Sequence, residues 1–231
     1  MAKIFIAITS YESKITTKCA EALLCNIETL KEAGHEVQTY FHSGDAYIAR
    51  ARNYCATIFL HTKFTDLVFI DCDVGFEKSD ILKLFKHDLE VVAGVYPYRT
   101  DDPDIIGGKI PFPITLKFDL HTNNCLDEKT GLVSAFTVPM GFCRINRTVF
   151  KELIDKGSVS EDSHNLYNFF DTGSIFNAEN TWYGEDTAFC RRWREIGGEI
   201  WVEPDINFIH QGIKEYKNNL HEYLSRKKKE S

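Results

Sequence analysis

The sequence predicts an α/β fold: a mostly parallel, twisted sheet flanked by helices, with a small antiparallel element in the second half. Two observations predict it. Between Lys3 and Pro97, short runs rich in Val, Ile and Phe alternate with helical segments in the order βαβαβαβ. Strands joined through helices build parallel sheets. After Pro97 the alternation gives way to "TLKFDLHTNNCLDEKTGLVSAFTV", two extended runs around a polar turn that holds Gly131. That is the pattern of an antiparallel pair.

The elements follow in order. "KIFIAI" is a first strand. "ITTKCAEALLCNIETLKEAG" places Ile15, Cys19, Leu23, Ile27 and Leu30 at helical spacing, and Gly34 stops the helix. "HEVQTYF" is a second strand, and Asp45 is placed to cap a helix reaching about residue 61, with Ala49, Ala56 and Phe59 facing inward. "DLVFID" is the third strand, "KSDILKLFKHD" a helix and "EVVAGVYP" the fourth strand. In the second half "GFCRIN" reads as a strand and "RTVFKELIDKG" as a helix ended by Gly157. From about 158 to 183 the residues follow no period, which predicts a long loop and a mobile lid. "EDTAFCRRWREIGG" is a helix closed by glycines, "EIWVEP" a strand, and "NFIHQG" a short strand or turn.

At 231 residues the chain suits one domain with a substantial core. A net charge of −7 argues against a duplex nucleic acid partner, which needs a broad basic surface, but leaves room for a nucleotide. The seven cysteines show no C-x-x-C spacing, and their odd number argues against a disulfide scaffold. Reduced thiols imply a cytoplasmic address. "MAKIFIAITS" reads as a strand rather than a signal peptide, and no run is long enough to span a membrane. Asn146-Arg147-Thr148 matches the glycosylation pattern, which means little without export. The basic end, "SRKKKES", reads as a solvated tail able to make weak peripheral contact with an anionic membrane.

Three features fall at the edges of these elements. In "FTDLVFIDCDVGF" an apolar strand ends in Asp71-Cys72-Asp73. Residues i and i+2 of a strand share a face, so the two carboxylates would stand side by side and call for a cation. A solvated turn is the plain alternative. Asp102-Pro103-Asp104 has the same spacing without an apolar strand before it, and reads as a loop. Gly184-Glu185-Asp186 opens a helix, where carboxylates are favourable for structural reasons alone. His210 follows a strand, and a lone histidine is often structural. Taken together, carboxylates, one imidazole and substrate phosphates suit Mn²⁺ or Mg²⁺ better than zinc.

"FIDCDVGF", "YGEDTAFCRRWREIGG" and "WVEPDINFIHQG", with "RARN", "VVAGVYPYR" and "VPMGFCRINRTVF" in matching order, resemble the nucleotide-sugar glycosyltransferases of the GT-A fold. The likeness covers residues from about 3 to 212 and is nearest to small glycosyltransferases or glycosyltransferase domains encoded by large DNA viruses. It implies one Rossmann-like GT-A domain over 1–231, with a nucleotide-binding half at 1–98, an acceptor and catalytic half at 99–212, and the basic tail at 213–231. It also implies a nucleoside diphosphate sugar donor, most often a UDP-sugar, and a glycan or other hydroxyl acceptor; a placed carboxylate base suits direct displacement with inversion, and retention is the open alternative.

Residue roles follow from the resemblance. Asp71, Asp73 and His210 would form the metal site, Asp73 and His210 as direct ligands and Asp71 through a metal-bound water or by holding the donor's ribose. Cys72 would lie between them in the donor site. Asp186 would be the general base, with Glu185 orienting the acceptor or substituting for it. Thr9, Ser10 and Tyr11 would meet the nucleoside, and Tyr11 is also an ordinary turn aromatic. Asp45 would bond the base or cap its helix. Arg50 and Arg52 cannot share a helix face, and Arg52 is the one expected to reach the donor. Met140 and Gly141 would border the sugar, and Trp182 and Tyr183 would stack on an acceptor sugar or pack in the core. A sugar-phosphate nucleotidyltransferase would need a glycine-rich loop after the first strand, and "AITSYESKIT" has no glycine. A non-catalytic sugar or nucleotide binder of the same fold is the other alternative.

Overall fold

β1 (Lys3–Ser10) is apolar on both faces because helices cover both: Ile4, Phe5, Ile6, Ala7 and Ile8 are wholly buried. Strand periodicity divides them. Ile4, Ile6 and Ile8 pack with Cys19, Leu23 and Leu30 of α1 (Thr17–Glu32), while Phe5 and Ala7 pack with Cys55, Ala56 and Phe59 of α2 (Ile48–Leu60). The computed structural model from which these contacts are read describes residues 1–100, 111–117, 125–172, 183–212 and 214–230.

β1 pairs in parallel with β2 (Glu36–Ser43) on one side and β3 (Asp66–Asp71) on the other. The sheet then continues through strands numbered here by chain position. Among them are β5 (Val91–Ala93), β6 (Thr115–Leu116), β7 (Val133–Thr137), β8 (Phe142–Asn146) and β9 (Ile200–Val202). Among the described residues the sheet has eight strands, ordered β2-β1-β3-β8-β5-β9-β7-β6. β8 and β7 oppose the direction of the other six, so the sheet is mostly but not wholly parallel. A three-stranded antiparallel sheet joins β4 (Val74–Gly75), β10 (Phe208–Gln211) and β11 (Glu215–Asn218) in the order β11-β10-β4.

The structure departs from the sequence-based expectation at four places. The fourth expected strand does not lie beside β3, because β8 inserts between β3 and β5 with Phe142–Ile145 buried. The helix expected over 78–88 is a single turn, α3 (Asp80–Lys83), entered through Ser79 at φ +74°. Residues 158–172 are not a free loop: Phe169 and Phe170 are wholly buried, and Asn53 of α2 grips both the Asn168 side chain and the Phe170 amide at 2.9 Å. The rest of the expected lid, 173–182, lies outside the described residues. Finally, the expected tail carries β11 and a helix, numbered α6 here (Leu220–Glu230), whose Leu220 is buried in the main core.

Arg147 opens α4 (Arg147–Asp155) and donates to the carbonyls of Phe59 at 2.8 Å and Leu60 at 3.1 Å, the free end of α2. The preceding Asn146 caps α4 by accepting from the Thr148 amide at 3.0 Å, so the glycosylation-like triplet is a helix start. Among the described residues no helix is long and apolar enough to cross a membrane.

Candidate active site

The register Thr9↔Asp71 and Ser10↔Ser43 brings the carboxyl ends of β1, β2 and β3 to one edge of the sheet. Ligands of open α/β sheets bind beyond such an edge. β8 runs the other way, so its first residues arrive at the same edge, and the Gly141 carbonyl accepts from the Asp71 amide at 2.8 Å.

Asp71 belongs to a buried network. One of its oxygens accepts from Arg52 at 3.1 Å and the other from the Tyr96 hydroxyl at 2.9 Å. Arg52, on α2, also donates to Glu185 in the first turn of α5 (Glu185–Glu195). Only 4% of the Arg52 side chain is exposed. Burial alone would weaken its hold on its proton, but Asp71 and Glu185 outweigh burial and strengthen that hold. Burial pushes the Glu185 carboxyl above its usual range; Arg52 counters that rise and Asp186 adds to it. Asp186 is half-buried beside this network, and its Oδ1 accepts from the Thr187 amide at 2.6 Å. Both acids sit at the positive end of the α5 dipole.

Asp73 belongs to a second group. β10 pairs with β4 through His210↔Val74, and the Gln211 amide donates to the Asp73 carbonyl at 2.9 Å. This pairing holds His210 beside Asp73, with Nε2 at 3.7 Å from Oδ2. His210 Nδ1 lies 2.8 Å from the Pro97 carbonyl, which can only accept, so Nδ1 carries a proton and Nε2 faces the carboxylate. Arg99 donates to the same Asp73 oxygen at 2.6 Å. Burial would raise the Asp73 carboxyl, but His210 and Arg99 together hold it below its usual range.

Asp71 is therefore not grouped with Asp73 and His210, contrary to the side-by-side expectation. β3 ends at Asp71, so strand alternation does not extend to residue 73. Among the described residues no three His, Cys, Asp or Glu side chains gather into a metal-holding group. Asp73 and His210 do fit as a pair. Two ligands on one divalent ion, each about 2.1 Å from it, stand roughly 3.0–3.4 Å apart when in adjacent positions, a little closer than the 3.7 Å between Asp73 Oδ2 and His210 Nε2. Carboxylate oxygen with imidazole nitrogen suits Mn²⁺ or Mg²⁺ with further oxygens from a ligand.

The other expected residues divide as follows. Thr9 is buried beside Asp71, Ser10 shares its hydroxyl with the Lys14 backbone, and Tyr11 is 66% exposed at the strand tip. Cys72 is half-buried next to Ser10, and burial pushes its thiol up. Asp45 does not cap α2 as expected; it accepts from the Tyr47 amide at 3.0 Å and binds Arg50 through two bonds of 2.9 Å. Arg50 thus points outward and Arg52 into the site. Met140 is wholly buried among core residues. Gly141 is required by its neighbours: a Cβ there would lie 2.0 Å from Asp71 Oδ2 and 2.3 Å from the Tyr96 hydroxyl. Tyr183 faces the Arg191 guanidinium at 4.7 Å, and Trp182 and Asp102-Pro103-Asp104 lie outside the described residues.

Sequence reasoning gave no individual roles to Tyr96, Pro97 and Arg99. In "VYPYR" they touch Asp71, His210 and Asp73 respectively. An aromatic–Pro–aromatic–Arg run leaving a buried strand at the ligand edge was the available signal.

Comparison with protein-family models and with curated proteins finds no match. Among solved structures, A197 from STIV superposes with a TM-score of 0.53 at 18% identity, covering 91% of this chain and 86% of that one. GalNAc-T7, solved with UDP, GalNAc and Mn²⁺, superposes with a TM-score of 0.53 at 12% identity over 90% of this chain. The fold is GT-A. This chain spans 86% of the A197 chain but only 43% of the GalNAc-T7 chain. The small β4-β10-β11 sheet of this GT-A domain is what carries His210 to the strand tip.

Proposed function

We propose that the protein is a metal-dependent glycosyltransferase that moves a sugar from a nucleoside diphosphate, first among them UDP, to a hydroxyl acceptor with inversion. The observation that carries this is the meeting of Asp73 and His210 at the ligand edge of a GT-A sheet, next to the Arg52, Asp71 and Glu185 network and Asp186. The GT-A neighbour solved with UDP and Mn²⁺ makes these the first probes.

Asp73 and His210 would hold the divalent ion, which when bound supplies positive charge for the departing diphosphate. Thr9, Ser10, Tyr11 and Asp45 would border the nucleoside, and Asp71, fixed by Arg52 and Tyr96, the ribose. Glu185 is committed to Arg52 and positions; Asp186 is the acid left to accept a proton. In the transfer the acceptor oxygen bonds to the anomeric carbon, its proton passes to Asp186, and the bond from that carbon to the diphosphate oxygen breaks. A base on the face opposite the leaving group gives inversion.

The test is hydrolysis of UDP-GalNAc and other UDP-sugars with Mn²⁺, followed by proton NMR of the anomer first released. Turnover is expected to stop with chelator and in Asp73→Asn. Asp186→Asn is expected to lose about 10²–10⁴-fold while still binding UDP. Binding without turnover in the wild-type protein would establish a non-catalytic binder instead.

A further inference from the structure

We propose that Arg99 is a resident counter-cation of Asp73 that competes with the divalent ion for this carboxylate. The competition presupposes the metal reading of Asp73 and His210 given above. Arg99 Nη1 lies 2.6 Å from Asp73 Oδ2, the oxygen that also faces His210 Nε2 at 3.7 Å. A guanidinium on that oxygen takes the lone pair a metal would use, and its charge repels a second cation at the same place. One or the other can hold Asp73 in this geometry.

Arg99 is built to leave. Arg52, the other arginine of the site, is 4% exposed and bridges two carboxylates. The Arg99 side chain is 53% exposed, and ion pairs of that exposure are weak. Its stem passes over the bare backbone of Gly212, where a Cβ would meet Arg99 Cδ at 3.2 Å. Its backbone, by contrast, is anchored close by: the Tyr96 hydroxyl is on Asp71 and the Pro97 carbonyl on His210. The guanidinium can swing while the residues that set the site stay in place. Asp73 thereby keeps a positive partner before metal arrives, which avoids an unpaired, partly buried carboxylate.

The experiment is a Mn²⁺ titration of the whole protein without nucleotide, reading free Mn²⁺ by electron paramagnetic resonance. Wild type, Arg99→Ala, Arg99→Lys and Asp73→Asn are compared, with melting curves to show that each is folded. Arg99→Ala is expected to bind Mn²⁺ about fivefold more tightly, the range of a partly exposed ion pair. Arg99→Lys, which keeps the charge, is expected near wild type, and Asp73→Asn to bind far more weakly. Unchanged or weaker binding in Arg99→Ala, with Asp73→Asn still defective, overturns the competition and leaves the metal site standing. Mn²⁺ binding that ignores Asp73→Asn overturns both.

Discussion

Asp71 and Asp73 are two residues apart and answer to different partners: Asp71 to Arg52 and Tyr96, Asp73 to Arg99 and His210. The division arises where β3 stops. Up to Asp71 the backbone is extended and paired with β1 and β8; beyond it a turn leads into β4. The acidic pair itself was legible in the sequence as polar residues ending an apolar run. Its division was not, because the partners lie 19 to 137 positions away and only the folded sheet brings them in. Gly141 makes the sharpest test at this scale. A methyl group there would overlap Asp71 and Tyr96, and because the Gly141 carbonyl is bonded to the Asp71 amide, the backbone cannot retreat freely. Gly141→Ala is expected to cost about 1–3 kcal/mol in a denaturant melt and to lower donor hydrolysis. A variant with wild-type stability and rate would show that the close approach is not needed.

At the scale of elements, α2 is the part that joins the two halves of the site. Its inner face packs on β1 through Cys55, Ala56 and Phe59, its far end is held by Arg147, and its first turns deliver Arg52 to Asp71 on β3 and Glu185 on α5. Helical periodicity made α2 and its apolar face legible. The rule that residues two apart do not share a face meant that Arg50 and Arg52 point different ways, and the choice of Arg52 came from the family resemblance, through Asn53 beside it. What periodicity could not show is that Arg52 turns to acids rather than outward. Removing a buried cation from between two carboxylates leaves both uncompensated, a loss of about 3–5 kcal/mol when partners are well buried. Asp71 and Glu185 keep 24% and 16% side-chain exposure, so Arg52→Met is expected at or below the lower end, about 3 kcal/mol by chemical denaturation. Arg52→Lys is expected to recover little, since one ammonium cannot reproduce a fork that spans two acids. Full recovery by lysine would reduce the role of Arg52 to charge alone.

Over the whole molecule, the chain order βαβαβαβ gave the parallel half of the sheet, while the insertion of β8 between β3 and β5 had no local signal. Sheet order is decided by which buried faces fit together across the molecule, and Phe142, Cys143 and Ile145 supply apolar contacts to both cores. The C-terminal segment shows the same limit. Its lysines and polar residues read as a solvated tail, since charge dominates "HEYLSRKKKES". Leu220 is nevertheless 1% exposed in the main core, Tyr223 and Leu224 pack against that core, and the Tyr223 ring meets Phe112 edge-on at 6.0 Å. Three apolar residues at helical spacing, Leu220, Tyr223 and Leu224, were the overlooked signal. If this helix closes the core, Leu220→Ala should lose about 2–3 kcal/mol, roughly 5–10 °C in Tm for a chain of this size. Arg226→Ala, on the exposed side of the same helix, should stay within about 0.5 kcal/mol of wild type. Equal melting of the two variants would return residues 220–230 to the status of a tail, whereas the expected gap makes the last helix part of the fold that supports His210, since β11, the strand immediately before it, pairs directly with β10.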